Sequence, residues 1–290
     1  NEQDRRTFLK TSAALVGTGL APAVLARSRS EADRSSTEDT LRIALVGCGG
    51  RGTGAAAQAL ATDGSVELVA MADAFRDRLD RSHTTLSETA GDRVQVPEEN
   101  KYVGFGAYRR AIDSGADVVV LATPPGFRPE HFEYAVAQGK HVFMEKPVAV
   151  DAPGIRRVLA AGKTAEENNL KVGVGLQRHH QEAYRSTLDR VHNGAIGRPV
   201  LLRVYWNSAG VWVRPRKDEM TEMEYQMRNW YYFNWLCGDH IVEQHIHNLD
   251  VCNWVMGSYP QIAQGKGGCE VRNGPDTGET FDHHQVEFVY

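Results

Sequence analysis

The chain has 290 residues, 41% of them apolar and 24% charged, and a formal net charge of −4. That length can bury a sizeable core and usually divides into about two domains. The weakly acidic balance, with no basic run interleaved with aromatics, gives no reason to expect a nucleic-acid partner. Four cysteines, Cys48, Cys237, Cys252 and Cys269, are too few and too scattered for a disulfide framework and read as free thiols.

Residues 1–26 are set apart from the fold. Arg5-Arg6-Thr7-Phe8-Leu9-Lys10 is followed by an uncharged stretch from Thr11 to Ala26. That stretch is shorter than the roughly 20 residues a membrane span needs, and Gly17, Gly19 and Pro22 dilute it. The pattern is that of a twin-arginine export signal. Ala21, Ala23 and Ala26 offer cleavage sites, and no nearby cysteine could take a lipid, so no membrane anchor is expected after processing. Residues 27–40, rich in Ser and charge, read as a linker.

Leu41 to Val46 is a nearly unbroken apolar run, which suits a strand buried on both faces of a parallel sheet. Gly47, Gly49 and Gly52 then fit the G-x-G-x-x-G spacing, and Ala55 to Ala61 reads as a helix behind them. Glycine serves a tight turn, close backbone approach to a pyrophosphate, and close helix–strand contact, with the helix N-terminus facing the anion. A second apolar strand, Val66 to Ala72, ends at Asp73, near the offset where an acid hydrogen-bonds an adenosine ribose hydroxyl. A carboxylate there repels a 2′-phosphate, so the expected cofactor is NAD, with NADP possible because Arg76 could hold a phosphate. An exported protein finds little free dinucleotide outside the inner membrane. The cofactor is therefore expected to be loaded before transport, held tightly and recycled in place.

Strand and helix alternate from Asp73 to Gly175, as in a doubly wound sheet. Arg76–Ala90 is predicted helical, Asp92–Asn100 a loop, Tyr108–Ser114 a short helix and Asp117–Ala122 a buried strand. Thr123 and Pro124 break that strand where a parallel strand's carboxyl end meets ligand. A helix over Phe127–Gln138, a strand over His141–Met144, a helix capped by Asp151 and a strand over Lys171–Gly175 complete this part. The strand at His141–Met144 runs into Glu145-Lys146-Pro147. A lysine at a strand's carboxyl end over a cofactor pocket can polarise a substrate hydroxyl or help shuttle its proton.

The loop Gly47-x-Gly49-Gly50-Arg51-Gly52, the Ala122-Thr123-Pro124 strand end and Glu145-Lys146-Pro147 together resemble the Gfo/Idh/MocA oxidoreductases. The likeness runs from about Leu41 to the last residue. It implies an α/β chain in which a Rossmann doubly wound parallel sheet over 41–176 precedes a C-terminal α+β domain over 177–290 with an open, mainly antiparallel sheet. It also implies that the end of that domain and the initiator methionine are missing. Cofactor contacts are expected from Gly47, Gly49, Gly50, Arg51, Gly52, Asp73, Thr123, Pro124, Glu145 and Lys146. Lys146 is expected beside nicotinamide and substrate, with the bond before Pro147 commonly cis.

In Gly238 to Trp254, read as one helix, Glu243, His247 and Asp250 fall at i, i+4 and i+7 on one face. A histidine pinned by a carboxylate is a base near neutral pH. The family's D-x-x-x-H-x-x-D pattern falls here, so the resemblance makes His247 the catalytic base, with Asp250 the trailing acid and Glu243 in place of the usual aspartate, orienting the imidazole. Cys237, His240, His245, His247 and Cys252 are crowded together but lack the paired spacings of zinc motifs, and no metal is expected. Arg178, His179 and Tyr184 stand where the family places substrate contacts. The aromatic run Asn229 to Trp235 suits either a carbohydrate-facing loop or packing beneath the helix at Asp239. Val200–Trp206, Gln261–Val271 and His283–Tyr290 look like strands of the second sheet, and the resemblance implies a homo-oligomer joined through the open face of that sheet.

These residues imply hydride transfer between a sugar or polyol carbinol and the nicotinamide, in a periplasmic or otherwise extracytoplasmic setting. Two other readings stay open: an NAD-dependent glycosidase acting through a transient keto-sugar without net redox, and a non-catalytic sugar-binding relative.

Overall fold

A computed structural model describes residues 40–208, 210–274 and 276–290. The twin-arginine segment 1–26 and residues 27–39 of the linker lie outside the described residues. The first half of the described chain alternates strictly: β1 (Leu41–Val46), α1 (Gly50–Leu60), β2 (Val66–Asp73), α2 (Arg76–Ala90), β3 (Lys101–Val103), α3 (Ala107–Asp113), β4 (Val118–Leu121), α4 (Arg128–Ala137), β5 (His141–Met144), α5 (Ala152–Glu167) and β6 (Val172–Val174). The six strands form one sheet in the order β3-β2-β1-β4-β5-β6, every pair parallel. The winding reverses between β1 and β4, and in such sheets ligand binds in the crevice outside the strand ends at that point.

The apolar runs are explained by burial on both faces. Ala44, Val46, Ala70, Ala72, Leu121 and Met144 pack with residues of α3, α4 and α5. Ile43, Leu45, Leu68, Met71 and Val120 pack on the other side with residues of α1 and α2. Asp151 caps α5 as expected, its Oδ1 accepting from the Gly154 N–H at 2.7 Å. Strand β3 falls within what the sequence reads as loop and its aftermath. At three half-buried residues it is too short to show a period, and it exists because Met71, Ala72 and Asp73 offer it a ladder.

The second half carries α6 (Glu182–His192), α7 (Glu222–Arg228), α8 (Asn234–Cys237), α9 (Asp239–Glu243), α10 (Ile246–Met256) and the antiparallel pair β7 (Ile262–Gly268) and β8 (His283–Val289). Two expectations are corrected, and the alternative left open for the aromatic run is narrowed. Val200–Trp206 forms no strand, because no described segment pairs with it. Gly238–Trp254 is two helices and not one: the His245 N–H reaches back to the His240 carbonyl at 3.2 Å, the backbone register slips there, and the helix restarts at Ile246. The aromatic run is mostly core, with Tyr231, Tyr232 and Phe233 buried against Tyr225, Met227 and Leu236. Buried Asn229 donates to the Arg214 carbonyl and accepts from its N–H.

Candidate active site

The glycine loop is a cradle built from backbone. Gly47 has φ +99°, and a Cβ on it would lie 2.6 Å from the Ala122–Thr123 peptide. A Cβ on Gly52 would lie 1.9 Å from the Gly47 carbonyl oxygen, so α1 can start this close to β1 only with glycine there. Gly49 is different: nothing comes nearer than the Arg78 guanidinium at 3.9 Å, and the residue faces an open cavity. Behind it, the N-terminus of α1 has no side-chain cap, which leaves its N–H groups for an anion. Asp73 stands at the end of β2, its Oδ2 accepting from the Cys48 N–H at 2.7 Å and its Oδ1 from the Phe75 N–H at 2.9 Å. Burial raises its carboxyl pKa and these N–H donors oppose the rise. A cradle that a Cβ would fill and an acid at the neighbouring strand end fit a dinucleotide.

The same cavity is lined by Thr123, Pro124, Phe105, Phe127, Met227 and Trp230. Arg76 does not reach it, being held on the surface by Glu98 at 3.0 Å. Arg78, which the sequence reading passes over, does.

The far end of the cleft is built from charged side chains. Arg51, on the first turn of α1, donates to Glu145 Oε1 at 2.7 Å and so ties the glycine loop to the end of β5. Gly175 leaves room for that carboxylate, since a Cβ there would lie 2.5 Å from Oε2. Fully buried Arg128 donates to the carbonyls of Glu145 (2.5 Å), Pro147 (2.6 Å) and Thr123, joining the two loops. Burial lowers its pKa to about 10, which keeps it charged at neutral pH. Its sequence signal is only a cation opening an apolar helix. The Lys146–Pro147 peptide is cis, as the resemblance implies.

Lys146 Nζ donates to Glu243 Oε1 at 2.9 Å and to the Glu243 carbonyl at 2.5 Å. Glu243 is thus the partner of Lys146 and does not orient His247, which lies beyond the break between α9 and α10. Burial raises the Glu243 pKa, with Lys146 opposing. His247 is buried, and its Nδ1 has no hydrogen-bond partner among the described residues. Burial, then the charges of Lys146 and Arg178, push its pKa down to about 4, so the ring is neutral at pH 7. Trp206 lies nearly parallel to it, ring centroids 6.0 Å apart.

The expected substrate residues are spent on packing against α10. Arg178 donates to the His247 carbonyl at 2.9 Å and to Asn248 Oδ1 at 2.5 Å, with the Tyr184 ring 5.3 Å from its guanidinium. His179 pairs with Asp250 at 2.8 Å and stacks on Trp254. These contacts fix the helix that carries His247. Among the described residues, no three His, Cys, Asp or Glu are arranged to hold a metal.

Fold and site define a dinucleotide-binding Rossmann protein with an acid–base cluster at the carboxyl ends of its parallel strands. Residues 41–176 match the Gfo/Idh/MocA family model, described as "Oxidoreductase family, NAD-binding Rossmann fold". Inositol 2-dehydrogenase of Ralstonia nicotianae is 31% identical over 221 residues, 75% of this chain and 55% of the relative, so the chain spans about half the length of that enzyme. The WlbA dehydrogenase from Bordetella pertussis, solved in complex with NADH and UDP-GlcNAcA, superposes with a TM-score of 0.62 at 20% identity, over 87% of this chain and 64% of that one. Myo-inositol 2-dehydrogenase from Lactobacillus plantarum gives 0.60 at 23% identity, over 86% and 66%. At those identities the two structures establish the fold.

Proposed function

We propose that this chain belongs to an exported oxidoreductase that moves a hydride between a sugar or polyol carbinol and a tightly held NAD. The observation that carries the proposal is His247: buried, neutral, with a bare ring nitrogen, and near enough to the Lys146–Glu243 pair for the lysine charge to depress its pKa. When bound, the nicotinamide supplies the hydride acceptor. His247 takes the proton of the substrate hydroxyl, which a neutral imidazole can do and an imidazolium cannot. Lys146 donates to the same oxygen and favours its developing negative charge. Glu243 holds the ammonium in place and keeps the pair near neutral overall. The cluster is asymmetric, with one cation, one anion and one uncharged base, and suits removal of a proton from an alcohol.

The inositol 2-dehydrogenase relatives make myo-inositol the first polyol to try. Support for export comes from Arg5-Arg6 and the apolar stretch behind it, and support for self-association from the exposed apolar residues Ile262 and Val289 on the β7–β8 pair. Purification of the full-length protein from a host with an active twin-arginine pathway, denaturation and weighing of released small molecules tests tight binding. The expected result is near-stoichiometric NAD(H). Its absence removes that part, and a failure of added NAD to be reduced by any of a panel of polyols, sugars and glycosides removes the reaction. Aglycone release without net NADH formation would point to the redox-neutral glycosidase instead.

A further inference from the structure

The segment Val211 to Trp235 belongs to the second half of the chain, yet it wraps over the loop that follows β2. Arg228 donates its two terminal nitrogens to the two carboxylate oxygens of Asp77, each at 3.2 Å, and its guanidinium lies 4.1 Å from the Phe75 ring centroid. Phe75 and Asp77 lie two and four residues after Asp73, the expected ribose acid. At the other end of the segment, Trp235 packs edge-on against Phe127, centroids 5.9 Å apart. Its backbone comes so close to the β4–α4 turn that a Cβ on Gly126 would lie 2.3 Å from the Trp235 carbonyl oxygen. The segment is therefore seated on both loops that flank the adenosine half of a dinucleotide crevice. Beside these anchors, Met227 and Trp230 line the same cavity as Asp73, Phe105 and Phe127.

A second observation concerns charge. Arg78 and Arg214 are neighbours near enough for Arg214 to act on Arg78 as a like charge, and the Arg214 Nε is buried with no partner among the described residues. Arg78 lies beside Gly49, and the like charge of Arg214 acting on it is one that an anion at the glycine loop relieves.

From these observations we propose that residues 211–235 are a cofactor strap, in which Met227 and Trp230 form the outer wall of an adenine subsite and the Arg228–Asp77 pair holds that wall shut. A flat ring between Trp230 and the Phe105–Phe127 side has apolar surface on both faces. Its exit requires the strap to lift. The proposal rests on the reading of a tightly held NAD and supplies a structural cause for it.

The test is the release rate of NADH from the full chain without any substrate, followed by loss of bound-nucleotide fluorescence after a chase with excess NAD. Met227→Ala and Trp230→Ala should each speed release by on the order of tenfold or more, from the apolar contact removed. Trp230→Phe should restore most of the lost retention. The affinity for NMNH, which lacks the adenosine half, should not change in any of them. Asp77→Asn, altered at the exposed end of the anchor, should also speed release, and it serves if the cavity variants do not fold. Release within twofold of wild type in the folded variants overturns the strap, as does equal weakening of NADH and NMNH. Neither result depends on turnover, so a strap that fails leaves the proposed reaction standing, and a protein without turnover still reports on the strap.

Discussion

The two ends of the cleft are made differently. The phosphate end is backbone: Gly47, Gly49 and Gly52 shape it by what they lack, and Asp73 already accepts two N–H donors from the loops around it. The proposed catalytic end is side chain: Arg51 with Glu145, Lys146 with Glu243, and beside them a neutral His247, with His247 Nδ1 and Glu243 Oε2 both unpartnered among the described residues. Binding is thus assigned to a backbone cradle whose open N–H groups await an anion, and chemistry to buried side chains that retain unmet polar atoms, each costly to bury unless a ligand meets it. The difference teaches that damage to one end should spare the other.

His247→Ala tests that separation with the largest expected effect. Turnover should fall by about 10²- to 10⁴-fold, while NADH affinity measured by calorimetry stays at the wild-type value. Gly52→Ala attacks the other end. With the Gly47 oxygen only 1.9 Å from the new methyl, overpacking should cost about 1–3 kcal/mol in thermal melts and abolish NADH retention. Glu243→Gln leaves shape intact but frees the Lys146 ammonium from its anion. Turnover should drop by about tenfold with little change in NADH affinity, and a matching loss of both would merge the two ends.

The pH dependence probes the same division without a mutation. His247 and His131 both have pKa values lowered to about 4, in each case chiefly by burial. The unfolded chain binds protons at these positions near pH 6.5 and the folded chain does not, so stability should decline as pH falls from about 6.5 toward 4. For the same reason the acid limb of kcat/KM should lie near pH 4. A limb near 6.5 would mean that His247 is not the base or is not buried in the working enzyme.

What was legible in the sequence follows the same division. Backbone demands leave a fixed spacing of glycines, so the cradle, Asp73 and a doubly wound parallel sheet could be read from residues 41–176. Side-chain partnerships across long separations leave none. Glu243 and His247 look like one helical face, and only the slipped register at His245 sends Glu243 to Lys146, 97 positions away. The sequence reading offers Arg76 as a phosphate ligand and passes over Arg78, because nothing in the spacing separates them. Side chains tilt toward a helix's N-terminus, so Arg78, a little further into α2, reaches back over the loop while Arg76 overshoots to Glu98. The aromatic run gives no hint that Trp230 faces the cleft while Tyr231, Tyr232 and Phe233 are buried.

The most direct test of the central claim follows the hydride itself. The full-length protein loaded with NAD is mixed with polyols deuterated at their carbinol carbons, myo-inositol first, and the nicotinamide is weighed after a single turnover. The account predicts deuterium at C4 in the wild type and none, with NADH still bound on addition, in His247→Ala. Label transferred at the wild-type rate by His247→Ala, or no label from any polyol or sugar in a wild type that binds NAD, would contradict it.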